Sequence, residues 1–131
     1  MRVVIAEDDG LIAMFMEEVL RDAGHDIIGA VASSDAAFHL VDAHRPDLLI
    51  ADIGLSEGEC GCELVRKAAA KYGTPSLFVT GAPEKAERCD HAIGVLAKPF
   101  DDTDLRDSIE IASAILAGRT VSRIPAQLQL F

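Results

Sequence analysis

No stretch of this sequence approaches the roughly 20 consecutive apolar residues that a membrane span requires, although half of its 131 residues are hydrophobic. The apolar residues come in short runs instead, which suits one soluble domain long enough to bury a core without staples. The opening Met1-Arg2-Val3-Val4-Ile5-Ala6-Glu7 lacks the apolar segment and small-residue cleavage site of a secretory signal, so a cytoplasmic location is expected. Cations are scarce: 12 Lys and Arg stand against 22 Asp and Glu, for a formal charge of −10. A nucleic-acid surface needs clustered cations to neutralise phosphates, and here they are scattered, so direct nucleic-acid binding is not expected. The acidity fits a divalent cation or a basic partner patch better. Cysteines are few, odd in number and without a C-x-x-C pair, so Cys60, Cys62 and Cys89 indicate neither a disulfide framework nor a thioredoxin-like site. With His91 they lack the spacing of a zinc site and read as ordinary thiols.

What is present is an alternation of short β-branched runs with amphipathic stretches. Val3-Val4-Ile5-Ala6 reads as a buried strand, and Leu11, Ile12, Phe15, Val19 and Leu20 then recur at helical spacing until Gly24. A second strand is expected from Ile27 to Ala32, followed by a helix capped by Ser33 or Ser34 and ended by Pro46. Leu48-Leu49-Ile50-Ala51 is an apolar run without alternation, as in a central parallel strand covered on both faces. After it come a loop with Gly54, Gly58 and Gly61, a helix through Leu64 and Val65, and the strand Ser76-Leu77-Phe78-Val79-Thr80. A short fourth helix is expected between Pro83 and His91, then the strand Val95-Leu96-Ala97. The last helix begins near Asp102 and presents Leu105, Ile109, Ala112 and Leu116 to the core. Five strands alternating with five helices imply an α/β doubly wound domain with a parallel sheet and helices on both faces. Residues 1–118 are expected to form it. Residues 119–131 show no clear period and are too few for an output domain, with Leu128, Leu130 and Phe131 expected to pack back on the domain or meet a partner. Phe15 and Phe38 read as core, and His25 as solvated or locally bonded.

The polar residues that terminate the strands carry the chemistry. The first strand ends in Glu7-Asp8-Asp9, the third in Asp52, the fourth in Thr80 and the fifth in Lys98. In a parallel sheet these ends share one edge, where open α/β folds bind ligands. Carboxylates gathered there repel one another unless a cation offsets them, and hard oxygen donors suit Mg²⁺. Phosphoryl transfer asks of a protein mainly positioning and charge neutralisation. Asp52 is thus the candidate nucleophile, able to form an acyl phosphate. Glu7 and Asp8, with Asp52 and the Gly54 carbonyl, are the candidate Mg²⁺ ligands. Lys98 supplies a positive charge and Thr80 a hydroxyl donor. Asp8 and Asp9 also have a plainer reading as caps of the first helix, and Thr80 as a residue that only bonds backbone.

With Glu7-Asp8, Asp52, Thr80-Gly81 and Lys98-Pro99-Phe100 in this order at strand ends, residues 1–118 resemble a bacterial response-regulator receiver domain of the CheY-like, flavodoxin-like type. The resemblance implies a five-stranded parallel sheet of order 2-1-3-4-5, Mg²⁺-dependent phosphorylation of Asp52 by a sensor histidine kinase in two-component signal transduction, and a cis Lys98-Pro99 bond. The domain would catalyse only its own phosphorylation and dephosphorylation, and would then signal by protein–protein contact or act as a phosphate sink.

Receivers of this type commonly carry Tyr or Phe where Val95 stands, so aromatic gating is lost there. With the short interval from Thr80 to Lys98, Phe78-Val79-Thr80-Gly81 resembles a Phe-x-Thr-Gly subgroup of single-domain receivers often served by HWE-type histidine kinases. Thr80 and the following loop, with Gly81 free in its backbone angles, are expected to carry the conformational change. Gly54 and Ala82 are small, which predicts a short-lived phosphorylated state. A haloacid-dehalogenase-type hydrolase would need a second acid where Gly54 stands, and a flavin module would be repelled by Glu7-Asp8-Asp9. The serious alternative is a pseudo-receiver that binds a protein partner without phosphorylation.

Overall fold

A computed structural model describes residues 1–55 and 60–131, so Gly58 of the expected loop lies outside the described residues. The chain runs β1 (Arg2–Ala6), α1 (Gly10–Asp22), β2 (Asp26–Val31), α2 (Ser34–His44), β3 (Leu48–Ala51), α3 (Gly61–Tyr72), β4 (Ser76–Thr80), α4 (Pro83–Ala86), β5 (Ala92–Ala97), α5 (Asp102–Leu116) and β6 (Leu128–Leu130). The sheet order is β2-β1-β3-β4-β5-β6, with the first five strands parallel as expected. No helix among the described residues is long and apolar enough to cross a membrane.

The uninterrupted apolar runs are divided by the strand period of two. Val3, Ile5, Leu48, Ile50, Leu77, Val79 and Leu96 face one core with Met16 and Leu20 of α1 and Leu105 and Ile109 of α5. Val4, Ala6, Leu49, Ala51, Phe78 and Val95 face the other, with Ala37 and Val41 of α2 and Leu64, Val65 and Ala68 of α3. Each strand is therefore apolar at every position because both faces are covered.

The helix ends follow local chemistry. Asp9, not Asp8, caps α1, its carboxylate accepting from the Leu11 and Ile12 amides. Ser33 caps α2 and accepts from Ala36 N–H. Gly73 closes α3 with φ +65°, a left-handed conformation that glycine adopts without strain. Asp101 and Asp104 form a reciprocal capping box on α5. In contrast α4 is a single turn whose N-cap, Ala82, makes no side-chain cap bond.

Four expectations are corrected. The sheet has a sixth strand, formed by the tail that shows no period: β6 pairs antiparallel with β5 through Gly94↔Leu130 and Leu96↔Leu128. Leu128 is buried in the α1/α5-side core. Gly94 permits this, since a Cβ there would lie 2.3 Å from the Gln129 carbonyl oxygen. Cys62 and Cys89 are not separate thiols but are joined as a disulfide, with Cα atoms 5.5 Å apart; only Cys60 is free among the described cysteines. Phe15 and Leu116 are largely exposed rather than core, at 39% and 46%, and Met16 takes the buried position on α1. His25, in turn, has a buried ring that accepts from the Met1 amino group at 2.9 Å.

Candidate functional site

The carboxyl ends of β1, β3, β4 and β5 bring Glu7, Asp8, Asp52, Thr80 and Lys98 to one rim, as the parallel topology requires. Carboxylate oxygens of Glu7, Asp8 and Asp52 lie within 4.8 Å of one another. Glu7 is buried at 2% exposure and Asp52 at 8%, while Asp8 is exposed at the mouth. Because Asp9 is taken up by capping α1, Asp8 is left to face the cluster. Lys98 bridges the two buried acids: its Nζ donates to Asp52 Oδ2 at 2.8 Å and to Glu7 Oε1 at 2.5 Å. The Asp9 amide donates to the other Glu7 oxygen at 3.1 Å.

Burial pushes the Glu7 carboxyl above its ordinary value, opposed by the Lys98 hydrogen bond. For Lys98, burial works against the charge, but the hydrogen bonds to Asp52 and Glu7 outweigh it and the ammonium is held above its ordinary value. Lys98 therefore enters any reaction as a cation.

Around Asp52 the backbone is closely built. The Gly54 amide donates to Asp52 Oδ1 at 3.3 Å, and Gly61 N–H donates to the Ile53 carbonyl at 2.8 Å. A Cβ on Gly61 would sit 2.0 Å from the Asp52 carbonyl oxygen, so only glycine lets α3 start so close to this residue. Gly54 itself is exposed, and its amide rather than its carbonyl is the group bonded to Asp52.

The β4 side differs. Thr80 is buried, but its hydroxyl accepts from the Ala82 amide at 3.2 Å, the plainer of its two expected roles. Gly81 has open space around it and no left-handed φ, so this state does not use its freedom. Lys98-Pro99 is cis, as the resemblance implied. Val95 is 1% exposed and packs in the α2/α3-side core.

Beside the acidic rim lies an apolar depression that the strand-end residues gave no sign of. Leu11, Ile12 and Phe15 of α1 and Pro99 and Phe100 line it together with Lys98. Leu11 is 80% exposed, and Phe15 and Phe100 meet at a ring-centroid distance of 6.1 Å. The signal was the helical stripe itself, which was wider than the core could cover.

Three hard-oxygen carboxylates within ligand distance of one another, two of them buried, fit a small divalent cation such as Mg²⁺, which offsets their repulsion. The curated relatives include the transcriptional regulatory protein PdtaR of Mycobacterium tuberculosis, 35% identical over 115 residues that cover 85% of this chain and 56% of PdtaR. They also include the phyllosphere-induced regulator PhyR of Methylorubrum extorquens, 31% identical over 92% of this chain and 46% of PhyR. The chain thus spans about half the length of these relatives. Among solved structures, the receiver domain of Erythrobacter litoralis PhyR superposes with a TM-score of 0.77 at 30% identity, covering 95% of each chain. The chemotaxis regulator CheY4 of Vibrio cholerae gives 0.73 at 25% identity, over 84% of this chain and 96% of CheY4. The family model of the response regulator receiver domain matches residues 3–110, and the chain belongs to that family.

Proposed function

We propose that Asp52 accepts a phosphoryl group from the phosphohistidine of a sensor histidine kinase, in a Mg²⁺-dependent step, and that the phosphorylated domain acts on a further protein. The observation that carries this reading is the bridging of buried Glu7 and Asp52 by Lys98 beside the Glu7, Asp8 and Asp52 oxygens. A cluster serving only stability would gain little from two buried acids that share one cation.

An Asp52 carboxylate oxygen forms the new O–P bond as the P–N bond to the donor imidazole breaks, the electron pair returning to the ring nitrogen. Lys98, already hydrogen-bonded to Asp52, follows the charge onto a phosphoryl oxygen. Thr80 turns its hydroxyl from Ala82 N–H to donate to another. Glu7 and Asp8, with Asp52 and the Gly54 carbonyl, would hold Mg²⁺, which when bound supplies the positive charge that offsets the carboxylates and the transferring group. Exposed Gly54 and half-buried Ala82 leave the acyl phosphate open to water, which fits a short-lived signal.

The apolar depression of Leu11, Phe15, Pro99 and Phe100 adjoins the acceptor, so a kinase helix that presents its histidine to Asp52 has an apolar surface to rest on. The Phe78-Val79-Thr80-Gly81 run extends the reading to HWE-type kinases as donors, acting in the cytoplasm. Incubation with an autophosphorylated histidine kinase and Mg²⁺ tests it: wild type gains one phosphoryl mass on Asp52, and Asp52→Asn or added chelator abolishes the gain. Retention of partner binding with no phosphoryl gain under any donor would favour the protein-binding pseudo-receiver instead.

A further inference from the structure

We propose that Cys62 and Cys89 form a reversible cross-link whose oxidation state sets how readily Asp52 is phosphorylated; the proposal rests on the phosphoacceptor reading above. Cys62 is the second residue of α3 and Cys89 follows the single turn of α4, 27 residues apart in sequence. Their Cα separation of 5.5 Å is one that a disulfide closes without backbone movement. Both side chains are only partly buried, at a groove also lined by Glu63, Arg66, Arg88 and Asp90. Small thiols and disulfides can therefore reach the pair. In the reducing compartment proposed above, cysteine pairs that oxidise are mostly transient and redox-sensing.

What the bond connects gives it a consequence. At one end, α3 begins with Gly61 seated against the backbone carbonyl of Asp52. At the other, Cys89 closes the segment that starts at Thr80. Besides the cross-link, that segment is held by buried Ala86 and by the Gln129–Glu87 bond, while α4 has no side-chain cap. When the Thr80 hydroxyl swings from the Ala82 amide toward a phosphoryl oxygen, that amide loses its acceptor, which favours a shift of the backbone after Thr80. A covalent anchor nine residues on resists the shift, and the dithiol form permits it.

Formation of the bond balances with a low-molecular-weight disulfide such as oxidised glutathione. One cysteine thiolate attacks the oxidant and releases one thiol. The second attacks the mixed disulfide and releases another, so the cysteines lose two protons and two electrons and the oxidant becomes two thiols.

Reciprocity makes the coupling measurable from either side: if the cross-link weakens the phosphoryl state by some factor, the phosphoryl state must favour the dithiol by the same factor. The experiment uses Cys60→Ser protein, since Cys60 and Cys62 share a tryptic peptide. The Cys62–Cys89 link is quantified by mass spectrometry across oxidised and reduced glutathione ratios, with and without Mg²⁺ and beryllofluoride. Fluorine NMR reports the adduct at Asp52 independently. The expected result is an intramolecular Cys62–Cys89 link whose equilibrium moves toward the dithiol by at least about fivefold when the adduct forms. Cys89→Ser should bind beryllofluoride like the reduced protein and ignore oxidant. A missing link, a link between chains, or an equilibrium unmoved by a bound adduct overturns the proposal while leaving the acceptor reading intact. Absence of any adduct in the reduced protein brings down the acceptor reading and the coupling together.

Discussion

The two halves of the carboxyl-terminal rim are built in opposite ways. On the β1–β3 side the buried groups are partnered: Lys98 holds Glu7 and Asp52, Asp9 caps α1 and sends its amide to Glu7, and Gly61 lets α3 close on the Asp52 backbone. On the β4 side the Thr80 hydroxyl bonds only the Ala82 amide of its local turn, α4 is one uncapped turn held by the single buried residue Ala86, and a disulfide ties its far end to α3. The difference teaches that the β1–β3 half is held by its own bonds before any ligand arrives, so in the proposed transfer Lys98 exchanges one acceptor for another there while the backbone reorganises in the other half. Preorganised charge is the larger contribution to such chemistry, and the part that must report the event is the part held least.

The contrast can be broken most severely at Gly61. Gly61→Ala places a Cβ against a backbone carbonyl that cannot yield as a side chain would. We expect a stability loss of about 3 kcal/mol in denaturant titration, with loss of phosphoryl acceptance even in the fraction that stays folded. Equal stability and acceptance would show that the Asp52 side is not rigidly built.

Gly94→Ala sharpens the comparison from the far edge. By driving β6 off β5 it removes the Gln129–Glu87 bond to the end of α4 and the Gln127–Pro99 bond beside Lys98. Loss of the buried Leu128 should cost about 2 kcal/mol. Hydrogen exchange should accelerate in β5 and around α4, with the Glu7–Lys98–Asp52 amides unchanged. Faster exchange around Asp52 as well would mean that the two halves are not independent.

The smallest effect is expected at the opposite end of the sheet. Burial first, and then the Met1 amino group, hold the His25 imidazole below its ordinary value, with Glu110 opposing. The fold therefore prefers neutral His25. Its contribution is complete above the unfolded value of about 6.5 and is lost as pH falls from there through the lower folded value. Thermal melts from pH 7 to pH 5 should show a small drop in wild type that His25→Gln flattens, with phosphoryl acceptance untouched in both.

How much of this could be read beforehand follows from the length scale of each signal. Leu48-Leu49-Ile50-Ala51 betrays its burial on two faces by four apolar residues in a row, and Asp52 after it marks the rim. The convergence of Glu7, Asp8, Asp52, Thr80 and Lys98 on one rim was legible because parallel strands put their ends together whatever the loops do. The β6 strand was not: Leu128-Gln129-Leu130 is too short to establish a period, and the permission for it comes from Gly94, distant in sequence. Residue parity likewise says nothing of the space between Cys62 and Cys89, which α3 and α4 bring together. Phe15 misled because the apolar stripe of α1 is wider than the core it meets, so Met16 turned inward and Phe15 joined the surface beside Pro99 and Phe100.

The short terminal strand also changes what the sheet offers to other chains. Without it, the six-residue β5, bonded to β4 on its inner side, would expose a row of unpaired outward-pointing amides and carbonyls, a template on which a second polypeptide could grow the sheet. With it, the outermost row on that side is only three residues long. The tail thus guards against intermolecular strand growth, and truncating it should first be felt as a loss of colloidal stability.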